Sequence, residues 1–178
     1  MNLKRRSSIR TCLTVLLLAG SLTAGAGETS PAADAFARIK TLAGTWTGEA
    51  KPFETDETFP VTHEFRVSAN ASVVMETMSP GTEHEMINMY HLDGDDLVLT
   101  HYCAGGNQPT MKLVKAEGDT LEFDFTGGTN LDPAADGHIH AGRLVFVDAD
   151  TIRSDWIAFA GGKEMGTTTF SLKRGEAP

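Results

Sequence analysis

The sequence predicts an all-β fold: a ten-stranded antiparallel up-and-down β-barrel preceded by a short N-terminal helix. Apolar and polar residues alternate along many short stretches, as where Leu121, Phe123 and Phe125 are separated by Glu122 and Asp124, and this alternation is typical of half-buried strands. Most links between these stretches are too short to hold a crossover helix, so neighbouring strands must be antiparallel. An open sheet of ten strands would expose two edges, and closure into a barrel removes them.

The beginning of the chain has the features of a secretory signal peptide. A basic start is followed by an apolar run at residues 12–18 and by the small residues Ala24, Gly25 and Ala26, which form a typical cleavage site. We therefore expect residues 1–26 to be removed and the mature chain to be exported, to the periplasm or the extracellular medium. The apolar run is too short for a transmembrane helix, so no membrane anchor is expected.

The net charge argues against nucleic-acid binding, and the cysteine content argues against a disulfide. The whole chain has 15 basic and 24 acidic residues and a formal net charge of −9. Loss of residues 1–26 removes four basic residues and no acidic one, which leaves 11 basic residues and a net charge of −13. Such a surface repels a phosphate backbone, so nucleic-acid binding is not expected. Cys103 would be the one cysteine of the mature chain, so no intrachain disulfide can form.

The helix and the strands are predicted from spacing and turn chemistry. Phe36, Ile39 and Leu42 recur at roughly helical spacing, which predicts a helix over residues 33–42. Gly94 lies between two aspartates and supplies the positive φ that a tight hairpin turn needs. The ten predicted strands cover residues 44–49, 58–69, 72–79, 86–92, 97–103, 110–116, 121–126, 137–148, 151–160 and 165–174.

The mature chain has a length that suits one domain. It divides into a tail with the short helix at residues 27–42 and the barrel at residues 43–176. Neither a repeat of domain size nor a low-complexity segment interrupts it.

The start of the barrel resembles that of a known superfamily. Residues 42–49, LAGTWTGE, place a G-x-W motif on the first strand directly after a short helix. This resembles the calycins, which include lipocalins, fatty-acid-binding proteins and nitrobindins, and the resemblance extends over essentially the whole mature chain. Calycins tend to place a basic residue of the last strand against this tryptophan, so the resemblance implies structural roles for Trp46 and Arg174. The central block HLDGDDLVLTHYC, with GNQP after it, also resembles secreted bacterial lipocalin-like proteins whose activity is not established.

Strand direction alternates around such a barrel, so each residue can be assigned to one of its two ends. The end reached by Glu49, here called the upper end, carries the longer loops, and the lower end carries the short turns. All histidines except His91 fall in the upper half, where a barrel would admit a ligand. Four of them share a strand face with apolar residues and are expected to point inward: His63, His101, His138 and His140.

These four histidines, together with Cys103 beside an upper loop, are the candidate ligand-binding residues. His101, His138 and His140 could supply the three protein ligands of a zinc site. Alternatively the four histidines are separately hydrogen-bonded, or a register shift of one residue turns some of them outward. Cys103 is either a nucleophile with His101 as its base or a small buried residue.

Haem is disfavoured by the position of the last histidine. Nitrobindin-like barrels hold haem through a histidine late in the chain, whereas no histidine follows His140 here. The sequence identifies no cofactor and no catalytic residue.

The predicted function is that of an exported β-barrel that binds a small, partly apolar molecule at its upper end. One alternative is a metal-dependent or acid–base enzyme, a hydrolase or isomerase, that uses the inward histidines. A second alternative is a structural protein of the cell envelope with a filled barrel. The ligand and the oligomeric state do not follow from the sequence.

Overall fold

A computed structural model describes residues 30–175. The predicted signal peptide at residues 1–26 lies outside the described residues. Within them, one helix, α1 (Pro31–Lys40), precedes the strands. The helix begins and ends two residues earlier than predicted, because the Ser30 side chain accepts a hydrogen bond from the backbone N–H of Ala33 and Pro31 occupies the first turn.

Ten strands follow the helix and form a closed barrel in which every neighbouring pair is antiparallel. They are β1 (Gly44–Lys51), β2 (Phe59–Ser68), β3 (Val73–Met78), β4 (Met86–Asp93), β5 (Asp96–Tyr102), β6 (Gln108–Glu117), β7 (Thr120–Thr129), β8 (His138–Phe146), β9 (Thr151–Ala160) and β10 (Lys163–Arg174). Each strand pairs with its neighbours in sequence, and β1 pairs with β10 to close the barrel. The predicted fold class is therefore confirmed.

The helix covers the lower end of the barrel. Phe36 and Ile39 on its inner face are buried in the core. Arg38 donates hydrogen bonds to the carbonyl oxygen of Gly118 and to Asp119 in the turn between β6 and β7. Its guanidinium also lies 4.2 Å from the ring centroid of Phe146. These contacts hold α1 across the opening that the short turns surround.

The contact predicted between Trp46 and Arg174 is present at the same end. Trp46 is fully buried, and its indole Nε1 donates to the carbonyl oxygen of Leu42 at 2.7 Å. The Arg174 guanidinium lies 4.3 Å from the Trp46 ring centroid and donates to the carbonyl oxygens of Thr41 and Ala43. The last strand, the first strand and the link from the helix are thus joined at one point.

Within the part of the chain that the structure describes, no helix is long and apolar enough to cross a membrane.

Candidate functional site

The upper end of the barrel holds a cavity of about 900 Å³. Its walls come from β1, β2, β4 and β10, together with the loops that follow β1 and β3. Most of its lining is apolar, and it includes Ala50, Phe59, Val61, Met86, Thr168 and Phe170. This size and this lining are typical of a site for a small molecule.

Below the cavity, a buried carboxylate organises a hydrogen-bond network. Oε1 of Glu76 lies 2.8 Å from Nδ1 of His63, while its Oε2 accepts from Asn88 Nδ2 and Tyr90 Oη, each at 2.8 Å. All four side chains are buried and belong to β2, β3 and β4. Because an ionised carboxylate only accepts hydrogen bonds, the His63 proton must lie on Nδ1.

Burial by itself raises the pKa of Glu76, but the opposing interactions outweigh it. Hydrogen bonds from His63, Asn88 and Tyr90, and the charge interaction with His63, hold its pKa below the usual value. Burial and the negative charge of Glu76 raise the pKa of Tyr90 well above its usual value, so Tyr90 keeps its proton and donates it. The network therefore contains an ionised carboxylate fixed by three donors.

His101 extends this network to β5. Asn88 uses its amide nitrogen for Glu76, so its Oδ1 accepts from Nδ1 of His101, at 2.7 Å. Burial lowers the pKa of His101 to about 4, which makes the ring neutral at neutral pH. The proton on Nδ1 then leaves Nε2 as a bare acceptor. The ring also stacks on Trp156, with 5.7 Å between centroids.

Four polar atoms of this inner layer have no hydrogen-bonding partner within residues 30–175. They are Nε2 of His63, Nε2 of His101, Oγ of Ser154 and Nε1 of Trp156. Buried polar groups are paired in most proteins, since an unpaired one costs about 1–3 kcal/mol. The barrel interior therefore carries an unusual concentration of unpaired polar groups.

The position of Trp156 depends on a glycine of the neighbouring strand. Gly142 is the Cα partner of Trp156, and a Cβ on Gly142 would lie 2.9 Å from Cζ3 of the indole. The absence of a side chain on β8 thus gives the indole its place beside His101.

His138 and His140 do not share the register with Leu144 that was predicted. A bulge between Ile139 and Ala141 changes the register of β8 by one residue. Ile139 packs against the core, and His138 is also buried, with 4% of its surface exposed.

The two histidines belong instead to a separate aromatic cluster. Nε2 of His138 lies 3.1 Å from Nδ1 of His140. The ring of His140 stacks on Phe159 and Phe125, at centroid distances of 4.0 and 4.9 Å. Burial and the neighbouring His138 lower the pKa of His140. A ligand-binding role for this pair remains a prediction.

The five predicted ligand-binding residues therefore lie in three places. His63 and His101 share the inner network, whereas His138 and His140 share the aromatic cluster. Cys103 lies in the turn after β5, where its N–H donates to the carbonyl oxygen of Asn107 and its Sγ accepts from the N–H of Gly105. Residues 30–175 contain no group of three or more His, Cys, Asp or Glu side chains that could hold a metal ion, so the zinc site considered for His101, His138 and His140 is not assembled.

Five residues of this interior were not predicted from the sequence: Glu76, Asn88, Tyr90, Ser154 and Trp156. A signal was present for two of them. Glu76 alternates with the buried residues Val74 and Met78, and Asn88 lies two residues before the buried Tyr90 on the same strand face. A carboxylate or amide on an otherwise apolar strand face indicates a buried polar network.

Comparison with known proteins shows the fold alone. The chain matches no family model, and no curated protein matches it. Among solved structures, Rv2717c from M. tuberculosis aligns with a TM-score of 0.51 and 18% identity, over 80% of this chain and 98% of its own. A DUF3598-family protein of unknown function from Nostoc punctiforme PCC 73102 aligns with a TM-score of 0.45 and 14% identity, over 77% of this chain and 48% of its own. The closed barrel is consistent with a calycin-like architecture.

Proposed function

We propose that this protein binds a small, partly apolar molecule in the upper cavity of its barrel. The observation that carries the proposal is the mostly apolar cavity of about 900 Å³ at the upper end of the barrel, whose lining also includes a few polar side chains, among them Thr62, Ser79 and Thr168. Binding sites for small molecules combine an apolar wall with a few polar groups in this way. The molecule buries its apolar part against the cavity wall, and its polar part meets the polar side chains of the lining.

The test is a fluorescence titration of the chain with N-phenyl-1-naphthylamine, an uncharged probe that brightens in apolar sites. We expect saturable binding at one site. Ala50→Phe places a large ring on a buried residue of the cavity wall, so it should weaken binding at least 10-fold. Val114→Phe places the same ring at an exposed position of β6 and should leave binding unchanged. Equal affinities in the two variants, with both folded by circular dichroism, would reject the cavity as the site.

Export of the mature chain is part of this proposal. It is supported by the basic start, the apolar run and the small residues before position 27. The intact mass of the protein recovered from the periplasm or medium of an expressing bacterium should correspond to a chain that starts at Gly27. Recovery of the full-length chain in the cytoplasm would contradict it.

A second candidate function, acid–base catalysis, is favoured by one observation. Glu76 holds Nδ1 of His63, as carboxylates hold the catalytic histidine of many hydrolases, and Nε2 of His63 has no partner among the described residues. Under this function, hydrolysis of 4-nitrophenyl butyrate should fall at least 100-fold in His63→Gln and persist in His91→Gln. Equal rates in these two variants would remove catalysis from consideration.

A further inference from the structure

The upper cavity has a negatively charged lining. Among the described residues that line it, Glu54 is the one acid, and none is a lysine or an arginine. The other titratable side chain of the lining is His84, in the loop that follows β3. Nε2 of His84 lies 3.8 Å from Oε1 of Glu83, so any positive charge on this imidazole faces a carboxylate. The lining therefore offers a ligand one carboxylate and no free cation.

The two loops that wall the cavity form its mouth, and they add further negative charge. They hold five acids and no lysine or arginine: Glu54, Asp56 and Glu57 within residues 52–58, and Glu83 and Glu85 within residues 79–85. Lys51, at the end of β1, has its ammonium 3.4 Å from a carboxylate oxygen of Asp56. The nearest base along the chain is thus already paired.

The basic residues of the described chain lie mostly away from this mouth. Of the 11, Lys51 and Lys163 are the two at the upper end, and Lys163 is followed directly by Glu164. The other nine lie on α1 or farther down the barrel. Charges of one sign around a cleft with low-dielectric walls focus their field into it. The mouth therefore attracts cations and repels carboxylates.

Aromatic rings at the mouth favour the same charge. Phe59 lines the cavity and is 45% exposed, and Phe53, in the same loop as Glu54, is 36% exposed. An ammonium group over the face of a phenyl ring is attracted by the π electrons of that ring. A cation at the mouth thus finds both a carboxylate and an aromatic ring.

The buried network beneath the cavity does not reverse this preference. Glu76 interacts with His63 through charge as well as through a hydrogen bond, so the carboxylate and the imidazole offset each other. Neither residue is among those that line the cavity. The sign of the field that a ligand meets is therefore set by the lining and the two loops.

Resting on the proposed function, we infer that the upper cavity selects amphiphiles whose polar end is a cation, a protonated amine or a quaternary ammonium, over amphiphiles that end in a carboxylate. The apolar body packs against the cavity wall, and the cationic end stays at the mouth with Glu54 and Phe59.

The test compares three competitors of N-phenyl-1-naphthylamine that have the same alkyl chain: decyltrimethylammonium, decan-1-ol and decanoate. Each is used below its micelle concentration, at pH 8 and low salt. We expect decyltrimethylammonium to bind roughly 10-fold more tightly than decanoate, with decan-1-ol between them. Salt screens exposed charges, so this ratio should fall roughly 3-fold in about 0.5 M sodium chloride.

Decylphosphocholine separates a free amine from a lipid headgroup, because it carries a phosphate next to the same quaternary ammonium. We expect it to bind no more tightly than decan-1-ol. Binding as tight as that of decyltrimethylammonium would contradict the requirement for a net positive charge.

Variants assign the preference to the mouth. Glu54→Lys reverses the charge of the lining, so decanoate should bind roughly 3-fold to 10-fold more tightly than in wild type, and decyltrimethylammonium less tightly by a similar factor. Asp95→Lys makes the same change in net charge in the exposed turn between β4 and β5, at the lower end, and should keep the wild-type preference. Glu54→Gln and Asp95→Asn provide the same comparison if either lysine variant does not fold.

The outcomes separate the two proposals. If wild type binds neither the probe nor any competitor, the proposed function fails. If Ala50→Phe weakens probe binding but decanoate competes as well as decyltrimethylammonium, the inferred ligand class is wrong and the cavity remains the site. A cation preference that is unchanged in Glu54→Lys, or changed equally in Asp95→Lys, overturns the role given to the mouth.

Discussion

Nδ1 of His63 lies 2.8 Å from Oε1 of Glu76 in the interior of the barrel, and the two side chains are 0% and 3% exposed. Glu76 also accepts from Asn88 and Tyr90, so three donors converge on it. In Glu76→Gln, the new amide N–H must face one of these donors. We expect the free energy of unfolding at pH 7 to fall by about 1–3 kcal/mol, the cost of an unsatisfied buried polar group. Urea unfolding measures this, and Glu64→Gln, at an exposed position of β2, should change stability by less than about 0.5 kcal/mol.

The burial of His101 predicts acid sensitivity. Burial lowers its pKa from 6.5 to about 4, so the unfolded chain binds a proton more readily than the folded chain between these values. Stability is therefore lost as the pH falls from 6.5 toward 4. For this one group we expect about 2–3 kcal/mol less stability at pH 4.5 than at pH 7.5.

The comparison of wild type with His101→Gln isolates this contribution. Urea unfolding at several pH values should show a flatter profile for the variant between pH 6.5 and 4.5. The pKa of Glu76 is lowered from 4.5, so its contribution to the free energy of unfolding is complete above pH 4.5. That contribution is lost only as the pH falls through the pKa of the folded state, mainly below the window in which His101 titrates. Parallel profiles for wild type and His101→Gln would contradict the buried neutral state of His101.

Gly48 allows β1 to approach β10 closely where these two strands close the barrel. It is the Cα partner of Leu172 on β10, and a Cβ on Gly48 would lie 2.0 Å from the carbonyl oxygen of Ser171. Backbone atoms have to shift to make room, so Gly48→Ala should lower the free energy of unfolding by about 1–3 kcal/mol or more. Gly137→Ala is the matched control, since no atom lies within 4 Å of its added Cβ. Similar stabilities for the two variants in thermal unfolding would show that β1 and β10 can separate at little cost.

Trp46 is predicted to be a main contributor to stability at the lower end. It is fully buried, donates to the Leu42 carbonyl and lies under the Arg174 guanidinium. Trp46→Ala should cost roughly 3–5 kcal/mol, the range for deleting a large buried aromatic side chain. Chemical denaturation measures this cost. A loss below about 1 kcal/mol would mean that the helix and Arg174 repack without the indole.

Alternation in the sequence was enough to predict the strands and to place two of the histidines. His63 shares its face with Phe65 and Val67, and His101 shares its face with Leu97 and Leu99, so period-two counting placed both correctly. The same counting failed in β8 because a bulge lies at His140. A bulge adds one residue to a strand without changing its composition, so alternation cannot reveal it.

The network around Glu76 could be predicted only in part. Its position between Val74 and Met78 indicates an inward carboxylate, but the partners of that carboxylate come from β2 and β4. Which residues meet across strands depends on register, and the register of β2 against β3 is set by the turn at Ala69, Asn70 and Ala71, where three successive non-glycine residues have positive φ. Turn chemistry of this kind is not evident from composition.

The helix across the lower end also has a kinetic consequence. With α1 held there by Arg38 and with Trp46 packed beneath Arg174, a molecule bound as proposed in the upper cavity would enter and leave by the same end. Its rate of release would then depend on the rim, where Phe59 lines the cavity and Phe53 packs over Gly166. Under the proposed function the barrel would act as a cup rather than a tube, because its entrance would also be its exit.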